Sequence, residues 1–210
     1  RERQRAVADI QIEQDAKTHG DARRTLVQEE KRAVAEVKIL DEPVTVIASL
    51  KGWVRTMKGH EVDVAALQFK AGDGLYGTFA CRSVDSMLVF GNNGRVYTVT
   101  IAALPGGRGD GVPVTTLIDL EASSQAQHFL VAPDTTMLML ATTSGFGLLA
   151  RVGDMQSRQR AGKSFLTVDE GVHVLAPAVV TDEHANVACL SMSGRLLVFQ
   201  LAEMKHQAKG

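Results

Sequence analysis

The segment QSRQRAGKS, Gln156–Ser164, carries three cations and no acid. Its last residues, AGKS, have the same order as the end of a phosphate-binding loop, in which backbone N–H groups surround a nucleotide phosphate. That motif needs a glycine five residues before its second glycine, and Ser157 stands there instead. The nearest upstream glycine, Gly153, is wrongly spaced. The segment therefore does not predict a nucleotide site, and its cations need another explanation.

Composition limits the class of protein. The 210 residues carry a formal net charge of −1, and 45% of them are apolar, which is enough to bury a core. No run approaches the ~18–20 consecutive apolar residues of a membrane span, and the first residues lack the apolar core of a secretion signal. Residues 43–210 hold 14 basic and 14 acidic residues, so any basic surface must be a local stripe.

The sequence shows no arrangement of residues that would do chemistry. Cys81 and Cys189 stand in apolar segments, and we expect both to be buried thiols in a reducing compartment. No CxxC pair and no close cluster of histidine and cysteine is present, so no metal site is predicted. No nucleophile is paired with a base either, and we expect no cofactor and no catalytic residue in this chain.

After Pro43 the sequence changes from helix formers to short β-rich runs. VTVIASL and WVRTMK flank Gly52, and SMLVFGN and RVYTVTI flank Gly94. TMLMLAT and FGLLARV flank Gly145, and NVACLSM and RLLVFQL flank Gly194. Two β-rich runs around a tight glycine turn are typical of a hairpin. The turn glycines recur at intervals of roughly 40–50 residues, which is the size of a propeller blade.

These repeats predict an all-β, propeller-like domain with about four strands in each repeat, because further β-rich runs lie between the hairpins. A sandwich of strands with coincidental spacing is the alternative. Before the repeats, good helix formers predict a helix of about 18 residues. A charged linker follows and ends in an extended segment at Ala33–Leu40. We therefore predict two regions, residues 1–42 and residues 43–210.

Aligning the repeats on the turn glycines brings basic residues into register. Arg108 lies 14 residues after Gly94, and Arg160 lies 15 residues after Gly145, both in loops that contain glycine. Equivalent loops of a ring of blades lie on one edge, and such a basic stripe is typical of a surface that binds DNA phosphates. Ordinary solubilising residues are the alternative. The candidate DNA-binding residues are Arg108, Arg158, Arg160, Lys163, Lys205 and Lys209 in these loops, with Lys51, Arg55 and Lys58 beside the first turn.

Three aromatic residues, Trp53, Tyr97 and Phe146, flank the turns. Such residues either stack on bases or, as strand aromatics usually do, pack between blades. The sequence contains no helix suited to reading base edges. We therefore expect any DNA binding to be largely independent of sequence.

Four segments resemble the C-terminal domain of the bacterial topoisomerase IV A subunit, the ParC type. They are EPVTVIASLKGWVRTMKGHEVD (42–63), FKAGDGLYG (69–77), RQRAGKSFLTV (158–168) and GRLLVFQLAEMKHQAKG (194–210). GDARRT, at 20–25, is similar to the junction after that subunit's breakage-reunion module. The related gyrase A domain carries a Gln-Arg-Arg-Gly-Gly-Lys-Gly box in its first blade. KGHEVDVAALQFKAGD stands at that place here, which favours topoisomerase IV over a gyrase DNA-wrapping domain.

The resemblance implies a β-pinwheel, a propeller-like ring of four-stranded blades with exchanged strands. Because the chain stops at Gly210, we expect the last blade to be incomplete. The resemblance also implies a non-catalytic domain whose basic rim binds and bends double-stranded DNA for ATP-dependent strand passage, as in decatenation and supercoil relaxation. The cleavage tyrosine, the Mg²⁺-binding carboxylates and the ATP site belong to other parts of the holoenzyme, and Tyr76 and Tyr97 stand in strand candidates.

The implied partners are double-stranded DNA, the remainder of the same subunit, and the ATPase subunit of a heterotetramer. The implied location is the bacterial cytoplasm at the nucleoid, and chromosome-segregation proteins are further candidate partners. A propeller that binds another protein is the alternative function. It predicts that an exposed apolar or acidic patch matters more than the basic rim.

Overall fold

The computed structural model describes residues 2–20, 40–107 and 109–208. The chain divides into two compact units, Arg1–Val37 and Lys38–Gly210. In the first unit, helix α1 spans Glu2–His19, which confirms the predicted N-terminal helix. The extended segment predicted at Ala33–Leu40 lies almost entirely outside the described residues. Within the described residues, no helix has both the length and the apolarity of a membrane span.

The second unit is built from short antiparallel strands, as predicted for an all-β domain. Four hairpins form at the predicted places, and the φ angles of the four turn glycines lie between 74° and 89°. The strands are β1 (Pro43–Ser49), β2 (Trp53–Lys58), β3 (Leu75–Arg82), β4 (Ser86–Gly91), β5 (Arg95–Thr100), β6 (Val112–Pro113), β7 (Ala126–Val131), β8 (Met137–Ala141), β9 (Gly147–Arg151), β10 (Lys163–Ser164), β11 (Ala178–Val179), β12 (Asn186–Leu190) and β13 (Leu196–Gln200), and a short helix, α2, spans Val152–Met155.

The strands form four sheets, here named blades 1 to 4 in chain order. Blade 1 has the strand order β3-β1-β2-β6, and blade 2 has the order β10-β5-β4-β7. Blade 3 has the order β11-β8-β9, and blade 4 pairs β12 with β13. In blade 3, His206 adds a parallel bridge to Leu149 at the free side of β9. The prediction of four-stranded blades is therefore confirmed for blades 1 and 2.

Each of blades 1, 2 and 3 includes a segment that follows the hairpin of the next blade. β6 follows the hairpin of blade 2 but pairs with β2 of blade 1, where Val112 lies opposite Val54. β10 follows the hairpin of blade 3 but pairs with β5 of blade 2, where Lys163 lies opposite Val96. This exchange links neighbouring blades through their outer edges. The exchanged strands implied by the resemblance are therefore present.

Apolar side chains fill the spaces between blades 1, 2 and 3. The central strand β4 contributes Met87 and Val89 to the cluster shared by blades 1 and 2. Its alternate residues, Leu88 and Phe90, belong to the cluster shared by blades 2 and 3. Because successive residues of a strand point to opposite faces, the uninterrupted apolar run buries both faces of β4. The packing holds the outer edges of the three blades in a fixed relation.

The two cysteines differ in burial. Cys81 is buried as predicted, its thiol lies 3.5 Å from the carbonyl of Val44, and burial raises the pKa of that thiol. Cys189 in β12 is exposed, so the prediction of a buried thiol is wrong there. Among the described residues, no further strand lies beside β12 and β13. Apolar residues of this hairpin, including Leu190 and Leu196, are consequently exposed as well.

Candidate nucleic-acid interface

The returning segments cross the second strand of the preceding blade at the same place. On blade 1, the N–H of Thr56 donates to the carbonyl of Pro105 at 2.9 Å, and its carbonyl accepts from the N–H of Gly107 at 3.2 Å. On blade 3, Leu149 makes the same two bonds, each 2.8 Å long, with the residues on either side of His206. Thr56 and Leu149 both stand four residues after the turn glycine of their hairpin.

Blade 2 repeats the crossing with a side chain. The equivalent residue is Thr98, whose hydroxyl accepts the N–H of Ser157 at 2.9 Å. Beyond the crossing, the chain leaves the sheet and rejoins it as β6 or β10. We name the residues in between the outer loops, 107–111 on blade 1 and 158–162 on blade 2. The outer loops therefore occupy equivalent positions on neighbouring blades.

A glycine ends each outer loop for a steric reason. Gly111 and Gly162 have φ angles of +88° and +63°. A Cβ atom would lie 2.3 Å from the carbonyl oxygen of Val54 at Gly111, and 2.5 Å from that of Val96 at Gly162. No side chain fits at these distances, and the left-handed φ also favours glycine. These two glycines bring each loop back onto the second strand and thereby fix where its basic residues stand.

The three predicted cations of blade 2 differ in what holds them. Arg158 is exposed and forms no ion pair with any described residue. The side chain of Arg160 is 57% exposed, with Nε 3.4 Å from Asp119 Oδ1 and Nη2 donating to a backbone carbonyl at 2.8 Å. Lys163 is half-buried, and its Nζ donates to the carbonyl of Asp154 at 3.0 Å. Arg158 is thus the cation of this loop whose charge is most available to an external anion.

Arg158 and Arg160 border a cavity of about 550 Å³ on the outer side of blade 2. Hydroxyl groups of Ser86, Thr98 and Thr100 line it from the strands. Guanidinium and hydroxyl donors converge here, and that combination suits the oxygens of a phosphate group. The remaining lining residues are Val99, Ala103, Leu117, Gln156 and Ser157.

On blade 1, Arg55 is used internally. It is only 7% exposed, and its guanidinium donates to the carbonyl of Gly109 and, at 3.1 Å, to that of Gln68. It also lies over the ring of Phe69, with 5.8 Å between Cζ and the ring centroid. These contacts attach the outer loop of blade 1 to β2. They leave little of the guanidinium open to solvent.

The other basic residues of blade 1 are exposed. Lys51 lies beside the turn, where its Nζ is 3.5 Å from the carbonyl of Ala71. Lys58 ends β2, its side chain is 91% exposed, and its Nζ is 3.9 Å from a carboxylate oxygen of Glu42. On blade 3, Lys205 is exposed beside the crossing. The remaining candidates, Arg108 and Lys209, lie outside the described residues.

The three aromatic candidates occupy different environments. Tyr97 is fully buried in the cluster between blades 1 and 2. Trp53 is half-buried, and Nζ of Lys70 lies 3.4 Å from its ring centroid. Phe146, beside the turn of blade 3, is 72% exposed. The packing alternative therefore holds for Tyr97.

Arg151, the last residue of β9, is a basic residue that the sequence candidates do not include. It is exposed and stands six residues after the turn glycine of blade 3, as Lys58 does in blade 1. The shared offset was available in the sequence. It was hidden because the loop cations were aligned at offsets of 14 and 15 residues, whereas those of the first repeat were treated as an exception.

Comparison with known proteins gives the fold and the cations a family context. No family model matches the chain. The topoisomerase IV ParC-type protein of Neisseria gonorrhoeae is 39% identical over 211 residues, which cover 95% of this chain. This chain spans about a quarter, 27%, of that relative's length.

Two solved structures match as well. The C-terminal domain of DNA gyrase A superposes with a TM-score of 0.55 at 18% identity, covering 80% of this chain and 58% of that one, and this likeness shows the fold alone. The C-terminal domain of Escherichia coli ParC superposes with a TM-score of 0.76 at 33% identity, covering 80% of this chain and 69% of that one. Together with the exchanged strands, these matches confirm the β-pinwheel. The chain belongs to the family of C-terminal domains of the bacterial topoisomerase IV A subunit.

Proposed function

We propose that this domain binds and bends double-stranded DNA without reading its sequence. In this role it positions DNA segments for strand passage by a type IIA topoisomerase. The observation that carries the proposal is the equivalent placement of the outer loops on neighbouring blades. A duplex lying along the edge of the blades would meet basic residues at intervals set by the blades themselves.

The proposed binding is electrostatic. The chain has a net charge of only −1, so attraction must come from the local row of exposed cations rather than from the overall field. Arg158, Lys58 and Lys205 are exposed members of this row. Their contacts with phosphates release counterions, and affinity then falls with salt at a logarithmic slope of about −0.9 for each phosphate contacted.

Sequence independence follows from what lies at this edge. Phosphate contacts fix position but carry no sequence information, and base reading requires an element that enters a groove. Of the two described helices, α2 has four residues, and the residues around it that line the cavity offer hydroxyls and guanidiniums. We therefore expect duplexes of unrelated sequence to bind with similar affinity.

Bending is the second part of the proposal. Smoothly bending a duplex of 20–30 base pairs by 40–90° costs on the order of 1–6 kcal/mol, so several rim contacts must act together to offset it. Cations on successive blades provide such a distributed set. A single substitution should consequently weaken DNA binding without abolishing it.

The rest of the enzyme completes the proposed role. We place strand cleavage, Mg²⁺ binding and ATP hydrolysis outside this chain, in an ATPase subunit of a heterotetramer and in other parts of this chain's own subunit, within the bacterial cytoplasm. Neither tyrosine of the pinwheel is available as a nucleophile. Tyr97 is fully buried, and the hydroxyl of Tyr76 lies 3.3 Å from Nδ1 of His128. Decatenation and supercoil relaxation would be activities of the holoenzyme.

Binding and bending can be tested with one set of duplexes. Two 40-base-pair duplexes of unrelated sequence, labelled at both ends, would be titrated with the 210-residue chain at several salt concentrations. We expect similar affinities, a linear fall in log affinity with log salt, and rising energy transfer between the ends. Absence of binding at low salt by the folded chain would contradict the proposal. Binding without a change in energy transfer would contradict the bending part alone.

A further inference from the structure

The second strands of the blades end at equivalent positions. These positions lie six residues after the turn glycine and are occupied by Lys58, Thr100, Arg151 and Gln200 in blades 1 to 4. In blades 1 to 3 they also lie two residues beyond the points, Thr56, Thr98 and Leu149, where the returning segments cross. Residues two apart in a strand share a side of the sheet. Lys58, Thr100 and Arg151 therefore stand on the side that the returning segments cross.

The two basic residues of this set are open to solvent. The side chain of Lys58 is 91% exposed. Arg151 is exposed, and neither an ion pair nor a side-chain hydrogen bond joins it to another described residue. Other arginines of the domain differ in this respect. Arg82 is paired with Asp41 at 2.5 Å, and Arg95 donates to backbone carbonyls at 2.9 and 3.2 Å.

Blade 2 has a different solution at the same place. Its strand ends in Thr100, whose short side chain lines the 550 Å³ cavity together with Arg158 and Arg160 of the outer loop. The loop thus supplies to blade 2 the positive charge that the strand end supplies to blades 1 and 3. The result is a basic position at the strand end of each of three successive blades.

We propose that Arg151 contacts a DNA phosphate as part of one row with Lys58 on blade 1 and Arg158 on blade 2. This inference rests on the proposed DNA binding and adds to it a residue and a path for the duplex. The duplex follows the strand ends of the blades, away from the hairpin turns. The turn side of blade 4 carries Arg195, which is also exposed and also forms no ion pair with a described residue, and which lies off this path.

The test compares two exposed arginines of the 210-residue chain. Arg151→Gln and Arg195→Gln remove the same charge from a strand end and from a turn, and Arg151→Lys keeps the charge. Affinity for a fluorescent random-sequence duplex would be measured at several salt concentrations. We expect Arg151→Gln to weaken binding several-fold and to lower the salt slope by about 0.9. Arg151→Lys should retain the wild-type slope, and Arg195→Gln should behave as wild type.

The outcomes separate this inference from the proposed function. If the wild type binds and Arg158→Glu weakens binding while Arg151→Gln does not, Arg151 is no contact and DNA binding stands. Equal losses in Arg151→Gln and Arg195→Gln would overturn the path along the strand ends. No binding by the wild type would overturn both proposals. Thermal unfolding of each variant checks the fold, and exposed substitutions should change stability by less than about 0.5 kcal/mol.

Discussion

The guanidinium of Arg55, on β2 of blade 1, donates a hydrogen bond to the carbonyl of Gly109, in the outer loop that follows the hairpin of blade 2. The two residues are 54 positions apart in the chain. The bond fixes an exposed loop on the blade that precedes it. A residue that the sequence suggested as a DNA contact is thus placed to act on DNA through the loop that it holds.

We expect Arg55→Met to destabilise the domain more than it weakens DNA binding. The substitution leaves the carbonyls of Gly109 and Gln68 without their charged donor, and hydrogen bonds to charged groups contribute about 1.5–3 kcal/mol each. Urea unfolding should show a loss of about 2 kcal/mol. Lys58→Met is the matched control, because an exposed lysine should change the free energy of unfolding by less than about 0.5 kcal/mol. Equal stability of the two variants would contradict the structural role of Arg55.

Gly162→Ala should destabilise the domain by close approach. The added Cβ would lie 2.5 Å from the carbonyl oxygen of Val96 and 2.8 Å from the ring of Tyr97. Gly171→Ala is the matched control, since Gly171 also has a positive φ, +78°, but has no atom within 4 Å of the added Cβ. The left-handed backbone costs about 1–2 kcal/mol in both variants, and overpacking adds about 1–3 kcal/mol in Gly162→Ala only. Similar midpoints of thermal unfolding would argue against the steric role of Gly162.

Asp119→Asn should strengthen DNA binding. Asp119 lies 3.4 Å from Arg160, and both side chains are more than half exposed, so the pair contributes at most about 1 kcal/mol to stability. Removing the carboxylate frees Arg160 for phosphate and removes a negative charge from the proposed rim. We expect higher affinity and a steeper salt dependence. Asp182→Asn, which removes an exposed carboxylate from the turn before β12, is the control and should leave both unchanged.

The hairpins of this domain were predictable because each has a local signature. The glycine turns need positive φ, and the apolar runs beside them recur in the same order in every repeat. The register of the basic loops was predictable for the same reason. Arg108 and Arg160 fall at nearly equal distances from their turn glycines, and both belong to outer loops that cross equivalent strand residues.

The exchange of strands had no signal in the sequence. β6 and β10 contain two residues each, too few for any periodicity, and their partners lie in the preceding blade. The fate of individual cations was equally hidden. Whether an arginine meets solvent, as Arg158 does, or carbonyls, as Arg55 does, depends on loops distant in the chain. Cys189 shows the same limit, because an apolar strand predicts burial only if another element covers it.

The two thiols should react at very different rates. Cys81 is buried, and burial raises the pKa of its thiol, so little thiolate forms at neutral pH and reagents cannot reach it. Cys189 is exposed. A thiol reagent should therefore modify one thiol of the folded wild type quickly and the second only after unfolding. Cys189→Ser should remove the fast reaction, and a fast reaction that persists in this variant would contradict the burial of Cys81.

The most direct test of DNA binding by the outer edge is charge reversal at Arg158. This residue is preferable to Arg160 and Lys163, because those two make contacts that also support the fold. Affinity for a random-sequence duplex would be measured across salt concentrations for the wild type, Arg158→Glu and Arg195→Glu. The account predicts that Arg158→Glu binds at least several-fold more weakly, with a salt slope reduced by about 0.9 or more, while Arg195→Glu stays close to wild type. Wild-type affinity and slope in a correctly folded Arg158→Glu variant would contradict it.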